Sequence, residues 1–544
     1  MADRNRRTTM AAIALPVLLI AMAGLARANT IVVNTLDSGS QPFPLCTLED
    51  AVAAANTQTI QGGCPQGTGN DDTIEFIVTG TILPDNTLTI DNTSETLFIE
   101  GPPFGGITID GQNTIELVDA EGTDLEAQNL TFTHGSSDFG GAIFAGDSLI
   151  GIEDCTFVNN GALGGGAFAG DDSLAFFLND TFTGNSAELG GGIFDEDSLV
   201  GVSNCTFAAN LAGGGADIAS ETLGETEANS TIFASTGGNN CDGVTDDGYN
   251  ISNDNSCGFT PPSVNNSATL DLDPMGLQNN GGPTQTIALE SGSQAIDFVP
   301  LASCLGPFGA PVTDDQRLFN RPDSDGGVPE SFCDAGAYES GAVAPIVLAP
   351  NSERLQIARS GAANSDNVNT AFTFIYNGDP DCDISTGGDE DALNSGVGVA
   401  LFEGSCANLP PSGLVLYLDP FQVHTVNHEQ YGTLFQSFGP ETVSARMVAL
   451  PTPAGACGAW TLNLEVAGLD TPALGLGGNG PFALVVTDVY GDVEEVGVAT
   501  QALTLADIYG DAAGCFDITN AIVGNQIPTP SHSVRRGVRR QTRR

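Results

Sequence analysis

The sequence contains no lysine. All 15 of its positive side chains are arginine, set against 68 Asp and Glu, for a formal net charge of -53. No arginine falls between Ala28 and Arg317. Nucleic-acid recognition needs clustered cations to displace counterions from phosphates, so the body of the chain excludes that function; an anionic membrane surface would repel it as well. Beyond the first 28 residues no stretch is apolar and long enough to cross a bilayer. No C-x-x-C pair offers zinc spacing, and no P-loop, dinucleotide fingerprint or serine nucleophile elbow occurs. Yet 41% hydrophobic residues are too many for a disordered acidic chain. What these absences leave is a folded, acidic, Gly-rich protein.

Residues 1–28 have the three parts of an export signal: Arg4, Arg6 and Arg7, an apolar run from Ala11 to Leu25, and Ala26-Arg27-Ala28 as a cleavage site. Pro16 interrupts the apolar run, which argues against a permanent anchor. The mature chain is therefore expected to begin near Asn29, without a transmembrane span, secreted or held at the cell surface. Twelve cysteines in an exported chain predict disulfides. Proximity pairs Cys46 with Cys64, Cys241 with Cys257, Cys304 with Cys333, Cys382 with Cys406, and Cys457 with Cys515.

A period of 25 residues organises the first half. Asn129-Leu-Thr-Phe132, Asp154-Cys-Thr-Phe157, Asn179-Asp-Thr-Phe182, Asn204-Cys-Thr-Phe207 and Asn229-Ser-Thr-Ile232 recur at that step. So do Ile143, Phe168, Ile193 and Ile218, and the sets Leu149, Leu174, Leu199 and Ile152, Phe177, Val202. Each unit offers three short β-rich segments between Gly, Asn and Asp turns, and Gly164-Gly-Gly166 would break a helical repeat. The expectation is a parallel β-helix whose coils stack about 4.8 Å apart, with Phe piled in the interior and Asn hydrogen-bonded at the corners. Cys155 and Cys205 then lie two coils apart, too far for a disulfide, as small buried hydrophobes.

Phe157-Val-Asn-Asn160, Phe182-Thr-Gly-Asn185 and Phe207-Ala-Ala-Asn210, with Gly140-Gly-Ala-Ile143 and Gly165-Gly-Ala-Phe168, resemble the F-x-x-N and G-G-A-I repeats of polymorphic outer-membrane proteins. Cys46-Thr-Leu-Glu-Asp-Ala51 resembles the CSLREA motif, with Thr47, Glu49 and Asp50 where that motif has Ser, Arg and Glu. Asn280-Gly-Gly-Pro-Thr284, Ser293-Gln-Ala-Ile-Asp297, Asp315-Gln-Arg317, Arg321-Pro322 and Cys333-Asp-Ala-Gly-Ala-Tyr-Glu339 are similar to the closing signature of choice-of-anchor Q proteins. The resemblance spans Asn29 to Ser340 and implies an all-β, right-handed parallel β-helix. It says almost nothing of activity.

Thr47 and Asp50 make a capping-box pattern before an Ala-rich run, predicting a helical lid over the first coil within residues 47–56. Asn279 to Glu339 reads as a cap at the far end, salt-bridged through Arg317 and Arg321. Residues 341–349 read as a linker, 350–525 as a smaller β-sandwich, and 526–544 as a basic disordered tail.

A lyase of β-helix type needs an Arg or Lys base, and the coils have neither. His134-Gly135 is similar to a pectin-hydrolase motif without its Arg-x-Lys partner. Asp147, Asp171, Asp172, Asp195 and Asp197 are expected to form a carboxylate ridge from coil to coil, either a solubilising edge that binds calcium or a hydrolytic pair. His424 and His428 fall on a strand, where their spacing holds them too far apart for one metal. The expected function is a non-enzymatic exported protein, adhesin-like or matrix-contacting, with an extracellular glycan or a surface protein as partner. The alternative is a polysaccharide-active or carbohydrate-binding protein.

Overall fold

The computed structural model describes residues 29–342, apart from 68–70, 77, 92–95, 103–105, 222 and 323–330; beyond 342 it describes the strands between Ile346 and Asn525 and a few turn residues among them. Residues 29–252 wind into a parallel β-solenoid in which the coils build three parallel sheets of nine, eight and seven strands. In one coil these strands are Leu149–Glu153 in the first sheet, Thr156–Val158 in the second and Phe168–Asp171 in the third. Period-two alternation sorts the faces: Ile150 and Ile152 are buried inside, while Leu149, Gly151 and Glu153 point outward.

Stacking in register is what the repeat encodes. Phe132, Phe157, Phe182 and Phe207 occupy one row of the second sheet. Their ring centroids are separated by 5.1, 4.7 and 4.5 Å, with nearly parallel planes. At a neighbouring corner Asn160 donates to the side-chain oxygen of Asn185 at 3.0 Å and Asn185 to that of Asn210 at 3.1 Å. Each of the three amides also donates to a Phe carbonyl one coil earlier, at 2.9 to 3.0 Å, so buried polar groups find partners.

The corners explain the small and polar residues of the repeat. Asn129, Asp154, Asn179 and Asn204 turn the chain at φ 58, 55, 56 and 51°, the left-handed region that Asn and Asp tolerate best. Gly140, Gly165, Gly190 and Gly215 turn it again at φ between 59 and 68°. A Cβ at any of these four would lie 2.1 or 2.2 Å from a carbonyl oxygen, so only glycine fits.

One coil departs from the period. Leu174 pairs with Leu199, a step of 25, but Leu199 pairs with Glu225, because the turn between Ser220 and Glu225 holds an extra residue. From there the register runs one residue later: Phe207 stacks on Phe233, with centroids 5.5 Å apart, and Thr206 pairs with Ile232. The expectation that Ile232 continues the Phe column is thereby corrected. A slip of one residue exchanges the two faces of a strand, and Ile232 packs outside the solenoid.

Both open ends are closed. Helix α1, Leu48–Thr57, starts where Thr47 Oγ1 accepts from the Asp50 amide and packs Leu48, Ala51, Val52, Ala54 and Ala55 against the first strands. Cys46–Cys64 pins it, and at the other end Cys241–Cys257 holds Phe259 over Phe233.

The segment 279–340, expected over the far end, instead runs back along the flank. Thr156 Oγ1 donates to the Gln285 carbonyl at 2.7 Å, Thr181 Oγ1 to Gln316 at 2.5 Å, and the Ala337 amide to Thr206 Oγ1 at 2.9 Å. These threonines are the outward row of the second sheet, and the strap buries them. Beneath it lies a second apolar cluster, in which Leu178 and Ile232 meet Leu289, Val299 and Val312, stapled by Cys304–Cys333. An end cap would leave this apolar and threonine-lined flank in water, whereas a lateral strap covers it.

Cys155 and Cys205 are free and buried, with Asp180 between them: the Cys155 amide donates to Asp180 Oδ1 at 2.7 Å, and the Asp180 amide to the Cys205 sulfur at 3.4 Å. Beyond residue 342 the described strands form two further sheets, built mainly of antiparallel pairs, with Leu462, Leu464 and Val466 buried on alternate positions. Cys382, Cys406, Cys457, His428, residues 1–28 and the tail 526–544 lie outside the described residues.

Candidate functional site

The five aspartates of the expected ridge do not share one fate. Asp147, Asp172 and Asp197 stack at one corner with φ 51, 50 and 61°, one per coil. Asp171 sits beside them at the end of a third-sheet strand, level with Glu196 on the next coil. Burial first, then Asp172, Asp197 and Asp147, raise the Asp171 carboxyl above its ordinary range; Glu196 is raised by burial and then by Asp171. Asp195 is elsewhere. Strand alternation turns it inward in the row of Ala145 and Gly170, where it accepts from the Ser198 amide at 2.8 Å, Ser220 Oγ at 2.8 Å and Thr226 Oγ1 at 3.0 Å. It ends an internal ladder in which the Ser148 amide donates to Ser173 Oγ and the Ser173 amide to Ser198 Oγ, each at 3.0 Å. Among the described residues no group of three or more His, Cys, Asp or Glu is placed to hold a metal ion.

A second concentration of acid lies under the strap. Arg317 Nε and Nη2 both donate to Asp315 Oδ2, at 2.9 and 2.5 Å, with the guanidinium between the rings of Phe319 and Tyr338. Arg321 Nη1 donates to Asn204 Oδ1 at 3.2 Å and to the Asp334 carbonyl at 3.0 Å, and its Nε lies 3.4 Å from Glu339. With two cations among so many carboxyls, burial and mutual repulsion raise several of them above their ordinary range. Burial, then Asp314, pushes Glu153 up to about 7. Burial likewise carries Glu339 to about 8 against the pull of Arg321, and Asp334 to about 6. Asp314 rises to about 6 through burial and then Asp315.

A carboxyl whose proton is held more tightly in the folded chain stabilises it fully below the ordinary value near 4 and loses that contribution as pH rises through the folded value. Strap stability should therefore fall between about pH 4 and pH 8. Hydrogen exchange of the Ala337 and Gly336 amides, which bond to the flank, reads this directly. Glu153→Gln with Glu339→Gln should flatten the slope; protection that rises with pH would refute the assignment.

The third feature is a groove of about 370 Å³ between the outer face of the first sheet and the strap. Leu174 and Leu199 stack in one outward row, Gly151, Phe176 and Gly201 in the next. Phe308, on the short turn Pro307–Gly309, meets Phe176 at 4.6 Å between centroids and 60° between planes. Glu227 and Asp247 line the same groove. Asp247 is the unpaired residue of a bulge, where Ala228 pairs with Asp246 and Asn229 with Gly248. Burial, then Asp247 and Glu225, raises the Glu227 carboxyl.

No family model, no curated protein and no solved structure matches this chain. Geometry alone therefore carries the functional reading. His134 Nδ1 lies 3.2 Å from Asp110, and its corner holds no arginine or lysine from the coils. Sequence reasoning missed the groove, because Phe176 belongs to a mixed outward row, Phe98, Glu126, Gly151, Phe176, Gly201 and Glu227, and Phe308 comes from far along the chain. The glycines at 151 and 201 on either side of Phe176 were the available signal.

Proposed function

We propose that this chain is an exported, non-enzymatic β-solenoid protein, secreted or displayed at a bacterial cell surface, making adhesin-like or matrix contacts through its long acidic flank. The observation that supports this best is the even repetition of Asp147, Asp172 and Asp197, one per coil, on a stretch without Lys or Arg. Catalytic carboxylates converge once, as a pair set for one bond; these repeat with the fold. On this reading the chain belongs with the choice-of-anchor Q and CSLREA-type proteins that carry polymorphic outer-membrane protein-like repeats. Calcium, if it takes part, screens the ridge as a diffuse counterion that links it to another acidic surface.

The test is expression of the full chain with an epitope tag in a bacterial host, followed by fractionation, protease shaving of intact cells and incubation of the purified protein with polysaccharides. The tag is expected in the medium or at the shaved surface, with no new reducing ends. Retention in the cytoplasm, or release of reducing ends, would sink the reading. The carbohydrate-binding alternative draws on a different feature, the groove at Phe176.

A further inference from the structure

We infer that the groove lined by Phe176, Phe308, Leu174 and Leu199 binds a neutral pyranose unit of a glycan, its apolar face against those side chains and its hydroxyls donating to Glu227 and Asp247. A sugar ring combines a flat C–H face with a belt of O–H donors. The groove has the complementary pair of features, an apolar floor of Phe176, Leu174 and Leu199 and carboxylate acceptors along one side. Its volume of about 370 Å³ falls within the range of small-ligand sites, which bind by apolar enclosure and a few placed polar groups.

The floor is preorganised. An added Cβ at Gly201 would lie 2.8 Å from the Phe176 ring, so the ring lies across the bare backbone of the next coil. Phe308 then fixes it from the other side. A ring already held in its binding orientation loses little freedom when a ligand arrives. Charge narrows the ligand further. The coils carry no Lys or Arg, and Arg317 and Arg321 of the strap are buried in their own ion pairs, so uronates and sulfated sugars would meet carboxylates without a compensating cation. A purely alkyl ligand would strip water from Glu227 and Asp247 and return no hydrogen bond.

This deepens the carbohydrate-binding reading of the same groove and is separable from export. The experiment measures binding of the full chain to a panel of neutral oligosaccharides, oligo-uronates and a Lys-rich peptide, with Phe176→Ala, Gly201→Ala and, at an exposed position away from the groove and the ridge, Glu188→Gln alongside. The wild type is expected to bind at least one neutral oligosaccharide and no uronate. Phe176→Ala and Gly201→Ala should each weaken binding 10-fold or more, the second without removing any side chain, and Glu188→Gln should leave it unchanged. Circular dichroism and thermal melting of each variant establish that it folds. No neutral sugar bound, uronates bound as well, binding of the peptide alone, or folded Phe176→Ala binding like the wild type would each overturn the inference. A chain that binds no sugar yet is shaved from the cell surface would leave the exported-contact reading standing.

Discussion

Phe182→Ala is expected to lower the stability of the solenoid by about 4 kcal/mol, the range for a large aromatic removed from a close-packed core. Phe182 is fully buried. Its ring stacks on Phe157 at 4.7 Å and Phe207 at 4.5 Å and meets Phe177 at 5.5 Å and 72°. Truncation removes three ring contacts at once, and the neighbouring coils cannot close the gap, because their spacing is set by backbone hydrogen bonds between parallel strands. Phe182→Leu keeps most of the volume and should cost roughly 1–2 kcal/mol. Urea unfolding followed by circular dichroism measures both. A loss under about 1 kcal/mol for the alanine variant would mean the Phe column is not the spine of the core.

Arg321→Ala is expected to cost about 3–5 kcal/mol, because it leaves three buried acceptors without their donor at about 1–3 kcal/mol each. Its side chain is fully buried and links three parts of the chain: Asn204 of the coil, the carbonyls of Asp334 and Gly336, and the Glu339 carboxyl group. Without it those acceptors lose their donor, and Glu339 stays buried beside Asp334 with no cation. Arg321→Lys keeps the charge but not the planar fork, and should fall between wild type and alanine. Because the strap lies over several coils, loss should appear as loosening of segment 279–340 before the Phe column unfolds. Hydrogen exchange separates the two events. Simultaneous loss of protection in both, at wild-type urea concentration, would refute the role given to Arg321.

Corner chemistry links these effects to what was legible beforehand. Asn, Asp and Gly recur at one per coil because three corners demand left-handed backbone, and that demand is local, so the 25-residue step could be read without coordinates. Disulfides Cys46–Cys64, Cys241–Cys257 and Cys304–Cys333 followed from proximity in the chain. The same reading failed at Asn229, where counting by 25 aligned Ile232 with Phe207. An inserted turn residue leaves composition untouched but exchanges inside for outside, and only pairing reveals it. Asp195 failed for a related reason. In a run of Asp-Glu-Asp nothing but strand alternation decides which carboxylate faces the interior.

By itself the sequence determined that the chain winds with parallel coils, where it must turn, and that the coils carry no cation able to hold a phosphate or a uronate. These are consequences of period, backbone sterics and charge, all local or repetitive. Tertiary structure alone decided that residues 279–340 fold back as a strap over the outward threonines, that Arg317 and Arg321 are buried there, and that Phe176 meets Phe308 above a glycine. Contacts between residues more than a hundred positions apart leave no periodic trace, because what selects them is the shape of a flank that exists only once the coils have stacked.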